Sequence, residues 1–125
     1  MMSIFYVALG GALGAAGRYG VGLWVKSASS VAFPWATFSV NIVGSVLMGL
    51  VMGWLARNGP NEPLRLFMAV GVLGGFTTFS AFSMEVFELL ERREIWLALI
   101  YAVGSAVAGL AAFFIGYAML RSAGA

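Results

Sequence analysis

The sequence predicts an all-α integral membrane protein of four transmembrane helices, the third broken near its middle. Three observations carry that prediction. Hydrophobic residues make up 62% of the 125 and charged residues only 10%, against roughly 45–50% and about 25% in a soluble domain. Too few charges remain to cover the apolar surface in water, so the solvent is lipid. Apolar runs at about residues 3–25, 35–56, 64–90 and 95–120 each reach the roughly 20 residues that a helix needs to cross a hydrocarbon core. The third run also holds a cluster of glycines and hydroxyl residues that weakens a continuous helix. The length suits one domain, residues 1–125.

The first run is taken as a retained span and not as a cleaved leader, because it lacks a positively charged start and three similar runs follow. Gly10 and Gly14 form a small-xxx-small pair suited to close helix packing. Arg18 is the one charge deep within a span, where it costs a few kcal/mol at the centre on insertion scales. It fits structural pairing and anion attraction equally well. The separator Lys26-Ser27-Ala28-Ser29-Ser30 closes this run. In the second, Asn41 lies well inside the bilayer, where an amide either marks a pathway or bonds between helices.

The third run reads Gly71-Val72-Leu73-Gly74-Gly75-Phe76-Thr77-Thr78-Phe79-Ser80-Ala81-Phe82-Ser83. Paired glycines cost a helix about 1 kcal/mol each, and the hydroxyls of Thr77, Thr78 and Ser80 can replace lost backbone bonds. A break at membrane depth is tolerated only where it is buried in protein or lines a watery cavity. It suits an ion site, and it suits a close-packing seam just as well. Phe79 and Phe82 share a face on a resumed helix. Their positive ring edges suit an anion, although two phenylalanines on a membrane helix more often simply face lipid or neighbours. In the fourth run Tyr101, Ser105 and Gly109 make a thin polar stripe, fit to wet a pore wall or to pack. Aromatics near the run ends, among them Tyr6, Trp24, Trp35, Trp54, Trp96 and Tyr117, match an interfacial belt.

Four spans put both termini and the second loop on one side, with Arg57, Arg65 and Arg121; Lys26, Arg92 and Arg93 lie on the other. The three-against-three balance removes the usual positive-inside signal. It favours dual topology, with two copies pairing in opposite orientations, over one orientation fixed by a small charge difference near Arg65 or Arg93. No cysteine or histidine is present, which rules out disulfides, thiol chemistry and the commonest ligand of transition metals. The five acids are all glutamates, and Glu85, the deepest, has no histidine or paired carboxylate to form an active site. An enzyme is not expected. The net charge of +2 is scattered over loops and predicts no nucleic-acid partner.

Together these motifs resemble the Fluc/CrcB family of fluoride channels over nearly the whole chain. The Gly-rich start with Arg18-Tyr19 is similar to that family's first helix. The run from Phe38 to Gly49 is similar to its second. Gly74 to Ser83 closely resembles its signature third-helix break. The resemblance implies an antiparallel, dual-topology homodimer in the bacterial inner membrane, multi-pass, with two fluoride pathways that carry the ion passively out of the cytoplasm. It implies an aromatic lining of Phe79 and Phe82 with Asn41 as donor, Arg18 in the vestibule, and Tyr101 and Ser105 along the fourth-helix track. Thr78, Ser80 and Ser83 add hydroxyls to that pathway. It further implies a structural sodium ion held at the dimer centre by the backbone carbonyls of Gly74 and Thr77. Two positions depart from the family pattern: Gly109 stands where members often continue the polar track, and Ala81 where a Thr or Ser is common.

Physical chemistry is consistent with passive flow. Fluoride is small and strongly hydrated, so a pore must replace its water with donors and positive ring edges. Proton coupling calls for an intramembrane carboxylate, and the first two runs have none. A small multidrug exporter, which uses a glutamate in its first helix, is disfavoured on the same ground. A non-transporting scaffold subunit would leave Arg18, Asn41 and the polar break without a role together.

Overall fold

The computed structural model describes residues 2–28 and 33–122. Ser29 and Ser30 of the first separator lie outside the described residues. Every regular element among the described residues is helical. Helix α1 spans Met2–Ala28 and α2 spans Trp35–Asn58. The next element, α3, covers residues 62–76 in three windings: an α-helical turn Glu62–Leu64, a π-helix Arg65–Leu73 and a second α-helical turn Gly74–Phe76. Helix α4 spans Phe79–Glu91, and α5 spans Ile95–Ser122.

Local chemistry sets the boundaries. Gly59, at φ 94°, ends α2 where a side chain would be strained. Asn61 caps α3 by accepting the Leu64 N–H at 3.1 Å, with Pro63 in the first turn. Between α4 and α5 the turn passes through Arg93 at φ 61°, a left-handed conformation in which glycine is the usual residue. The Arg93 N–H bonds to the Leu90 carbonyl and the Glu94 N–H to that of Leu89.

Among the described residues, three stretches are long and apolar enough to cross a membrane: Trp35–Asn58, Glu62–Glu91 taken as one 30-residue stretch, and Ile95–Ser122. Helix α1, at 27 residues, has the length but is not among them; its glycines and Arg18 dilute its apolar content. With three such stretches the protein is a membrane protein.

Small residues let the helices meet backbone to backbone. In the α1–α3 seam, a Cβ on Gly10 would lie 2.5 Å from the Phe67 carbonyl oxygen, and one on Gly75 would lie 2.7 Å from that of Gly11. Helices α2 and α5 approach in the same way: a Cβ on Gly53 would lie 2.5 Å from the Tyr117 carbonyl. Membrane helices associate through such contacts, because lipid tails give no hydrophobic drive between helices. The best-buried side chains are Tyr101, Leu73, Leu89 and Val40. A core cluster of Leu89, Ala98 and Tyr101 is packed by Phe33, Phe38 and Phe82 at the end of the molecule where α4 meets α5. Trp24, Trp96 and many aliphatic side chains face outward, as they do when the surroundings are hydrocarbon.

Candidate functional site at the helix interruption

The glycines and hydroxyls of the third run interrupt the helical winding between Phe76 and Phe79. Thr77 (φ −83°, ψ 157°) and Thr78 (φ −150°, ψ 121°) are extended. Their side chains then satisfy the loose backbone. Thr77 Oγ1 donates to the Leu73 carbonyl at 2.8 Å, beside the Thr77 N–H bond to the same oxygen at 3.0 Å. Thr78 caps α4, its hydroxyl accepting the Ala81 N–H at 3.1 Å.

Asn41 holds the interruption from α2. Its Oδ1 accepts the Thr78 N–H at 2.9 Å and its Nδ2 donates to the Thr78 carbonyl at 3.1 Å. One amide thus satisfies both backbone groups of one residue. The Thr78 N–H would ordinarily return to the carbonyl of Gly74 four residues back; because Asn41 takes it, the Gly74 oxygen is deprived of that partner. From α1, Arg18 donates through Nε to the Gly75 carbonyl at 3.2 Å, placing a cation at the C-terminal end of α3. Of the two uses open to Asn41 and Arg18, both make interhelical bonds, and both also line space.

Two cavities flank the interruption. One, of about 280 Å³, is lined by Asn41, Ser45, Met48, Thr77, Thr78 and Phe79, among others. The other, about 310 Å³, lies between α1 and α2 and includes Arg18, Lys26, Thr37, Thr78 and Ala81. Thr78 is common to both. Phe79 and Phe82 pack with ring centroids 5.5 Å apart, and Phe82 lies 5.1 Å from Tyr101, which meets Phe33 edge-on at 5.3 Å. A ladder of rings therefore runs from the interruption into the core cluster. Phe79 is 78% exposed on the single chain.

Of the expected residues, the structure brings Asn41, Thr77, Thr78 and Phe79 to one cavity and Arg18 and Thr78 to the other. Gly74, Ser80, Phe82, Ser83, Tyr101 and Ser105 line neither. The Ser80 hydroxyl lies 3.3 Å from that of Thr78, and Ser83 donates to the Phe79 carbonyl at 3.0 Å. Ser105 Oγ is buried and has no hydrogen-bond partner among the described residues.

Sequence reasoning set Glu85 aside as a poor active site and gave Thr37 no role. The structure joins them. The half-buried Glu85 carboxylate accepts from Thr37 Oγ1 at 3.0 Å and from the Tyr101 hydroxyl at 3.0 Å, bridging α2, α4 and α5. The signal was available: Glu85 sits six residues inside the end of α4, and a carboxylate within a spanning stretch marks function by default.

Polar groups converging on an interrupted helix inside an all-helical membrane protein are the device that membrane transport proteins use to present donors and carbonyl oxygens to ions. The comparisons agree with that class. Residues 5–117 match the family described as CrcB-like protein, Camphor Resistance (CrcB), and the chain belongs to this family. A relative from Novosphingobium aromaticivorans is 50% identical over 123 residues, covering 97% of this chain and 98% of its own length. One from Thermus thermophilus is 50% identical over 111 residues, covering 89% and 87%. One from Agrobacterium fabrum is 46% identical over 123 residues, covering 98% of both. Each of the three is named as a fluoride-specific ion channel, FluC.

Proposed function

We propose that this protein is a fluoride-selective channel through which cytoplasmic fluoride leaves the cell passively, lowering fluoride toxicity. The observation that carries the reading is the Thr77–Thr78 interruption, held open by Asn41 and flanked by Phe79 and Phe82, in a chain whose relatives bear the name of that channel. Hydroxyls, one amide and positive ring edges can replace the water around a small anion without trapping it as an ammonium would. Asn41, Thr78, Phe79 and Phe82 form the narrow part of the path in this reading, with Arg18 at its vestibule. Ser80, Ser83, Tyr101 and Ser105 extend it in this reading.

The finer architecture belongs to the same proposal. The chain crosses the bacterial inner membrane four times; α1 is the first span, and residues 62–91 form a single span broken at Thr77–Thr78. Two copies pair antiparallel as a dual-topology homodimer, which the balanced loop charges support. The carbonyls of Gly74 and Thr77 would hold a structural sodium ion. The donor set fits: the Gly74 oxygen is deprived of the Thr78 N–H, Thr77 has turned out of the helix, and hard cations take oxygen ligands. A bacterium stripped of its own fluoride export should regain growth in fluoride when it expresses this chain. Absence of rescue by well-inserted protein would sink the reading. Tags on the C-terminus should be found on both faces of the membrane, and labelling of one face alone would remove dual topology.

A further inference from the structure

The cavity of about 280 Å³ beside the interruption runs on along α2 past Asn41. Ser45 and Met48 line it with Asn41, at spacings of four and seven residues that put all three on one helical face. Ser45 therefore follows Asn41 by one turn, about 6 Å along the axis. Across from Ser45 stands Gly109 of α5. The nearest atom of another helix to a Cβ built on Gly109 is Ser45 Oγ, at 3.6 Å. Elsewhere in the α2–α5 seam the fit is tighter. A Cβ on Gly53 would lie 2.5 Å from the Tyr117 carbonyl, and one on Gly49 or Gly116 would run into the opposing backbone. The seam is thus slack at Gly109, and Phe113, one turn farther along α5, lines the same cavity.

A serine within a helix commonly turns its hydroxyl to the carbonyl four residues back, as Ser83 does to Phe79 at 3.0 Å. The half-buried Ser45 hydroxyl makes no hydrogen bond among the described residues. The other hydroxyls on this cavity are engaged. Thr77 donates to the Leu73 carbonyl, and Thr78 accepts the Ala81 N–H and lies 3.3 Å from the Ser80 hydroxyl. A polar group at membrane depth is costly without a partner, and the cavity is where Ser45 can meet one. We infer that Ser45 is a further anion-contacting residue of the fluoride path, its hydroxyl donating to the ion one turn beyond the Asn41 amide, where α5 offers a bare glycine. The inference rests on the channel reading and adds a donor to it. An uncharged donor replaces one water of the ion's shell and still lets the ion move on.

Efflux from fluoride-loaded liposomes tests it, with the wild type, Ser45→Ala and the double variant Ser45→Ala/Gly109→Ser reconstituted at matched amounts. Ser45→Ala removes the hydroxyl, keeps a small residue in the seam and favours the helix. It should elute from size exclusion as the wild type does while fluoride loss slows about tenfold, one hydrogen bond to a charged group at the low end of its range. Adding Gly109→Ser puts a hydroxyl on the facing wall, where a Cβ has room, and should return most of the flux. A packing role for Ser45 predicts no such return. Wild-type flux in Ser45→Ala, or a slow Ser45→Ala that Gly109→Ser does not restore, would overturn the inference and leave the channel reading standing. No fluoride loss from the wild type would overturn both.

Discussion

Replacing Asn41 by alanine deletes both arms of the clamp on Thr78, the 2.9 Å bond from the Thr78 N–H and the 3.1 Å bond to its carbonyl. Two peptide groups of a half-buried residue lose their partner. An orphaned buried group costs about 1–3 kcal/mol, which sets a ceiling of about 6 kcal/mol for the pair. Interhelical hydrogen bonds in membrane proteins measure lower, about 0.6 kcal/mol on average and about 1.7 at most, and water entering the 280 Å³ cavity returns part of the loss. About 2 kcal/mol is the resulting expectation, a shift of about 30-fold against the clamped arrangement. Asn41→Ala should therefore unfold earlier in mixed micelles by that amount and conduct fluoride poorly. Asn41→Asp keeps an acceptor for the Thr78 N–H but sets a carboxylate oxygen against the Thr78 carbonyl at membrane depth, so it should be no more stable than Asn41→Ala. Its added negative charge should also suppress anion flux. If Asn41→Ala retained wild-type stability to within about 0.5 kcal/mol and wild-type efflux, the clamp would have no part in shaping the path.

Three further outcomes follow from particular contacts. Phe82→Ile removes the ring between Phe79 and Tyr101; fluoride flux should fall while chemical cross-linking still reports a dimer, and undiminished flux would count against the aromatic lining. A Cβ at Gly14 would meet the Val72 carbonyl and lie 2.8 Å from the Phe76 nitrogen, whereas one at Gly11 meets nothing within 4 Å. Gly14→Ala should thus split the α1–α3 seam and lower the yield of folded protein, and Gly11→Ala should be tolerated; equal behaviour in size-exclusion and melting experiments would contradict that packing. Arg93→Gly relieves a left-handed residue at φ 61° and should raise stability by about 1 kcal/mol, measured by denaturation, with fluoride flux unchanged.

Much of this was legible in the residues, for identifiable reasons. Apolar runs at 35–56 and 95–120 coincide with α2 and α5 because length and hydropathy alone fix a helix in lipid. The extended residues Thr77 and Thr78 fall beside two glycines and among three hydroxyl residues, which weaken a continuous helix. The partners of that interruption were less visible. Asn41 and Arg18 stood open between bonding and anion attraction because their partners, Thr78 and Gly75, are 37 and 57 residues away. Glu85 was passed over because its partners are a threonine on α2 and a tyrosine on α5, which neither spacing nor composition brings together. The π-helical winding of Arg65–Leu73 has no counterpart in the apolar pattern, since apolar residues fill that stretch on every face.

The central claim is that this path passes fluoride and refuses other halides. Purified protein should be reconstituted into liposomes loaded with fluoride, and the loss followed with a fluoride electrode beside matched chloride-loaded vesicles. Rapid loss of fluoride with chloride retained is the predicted result. Retention of fluoride by vesicles holding well-folded protein, or equal loss of both ions, would contradict the account.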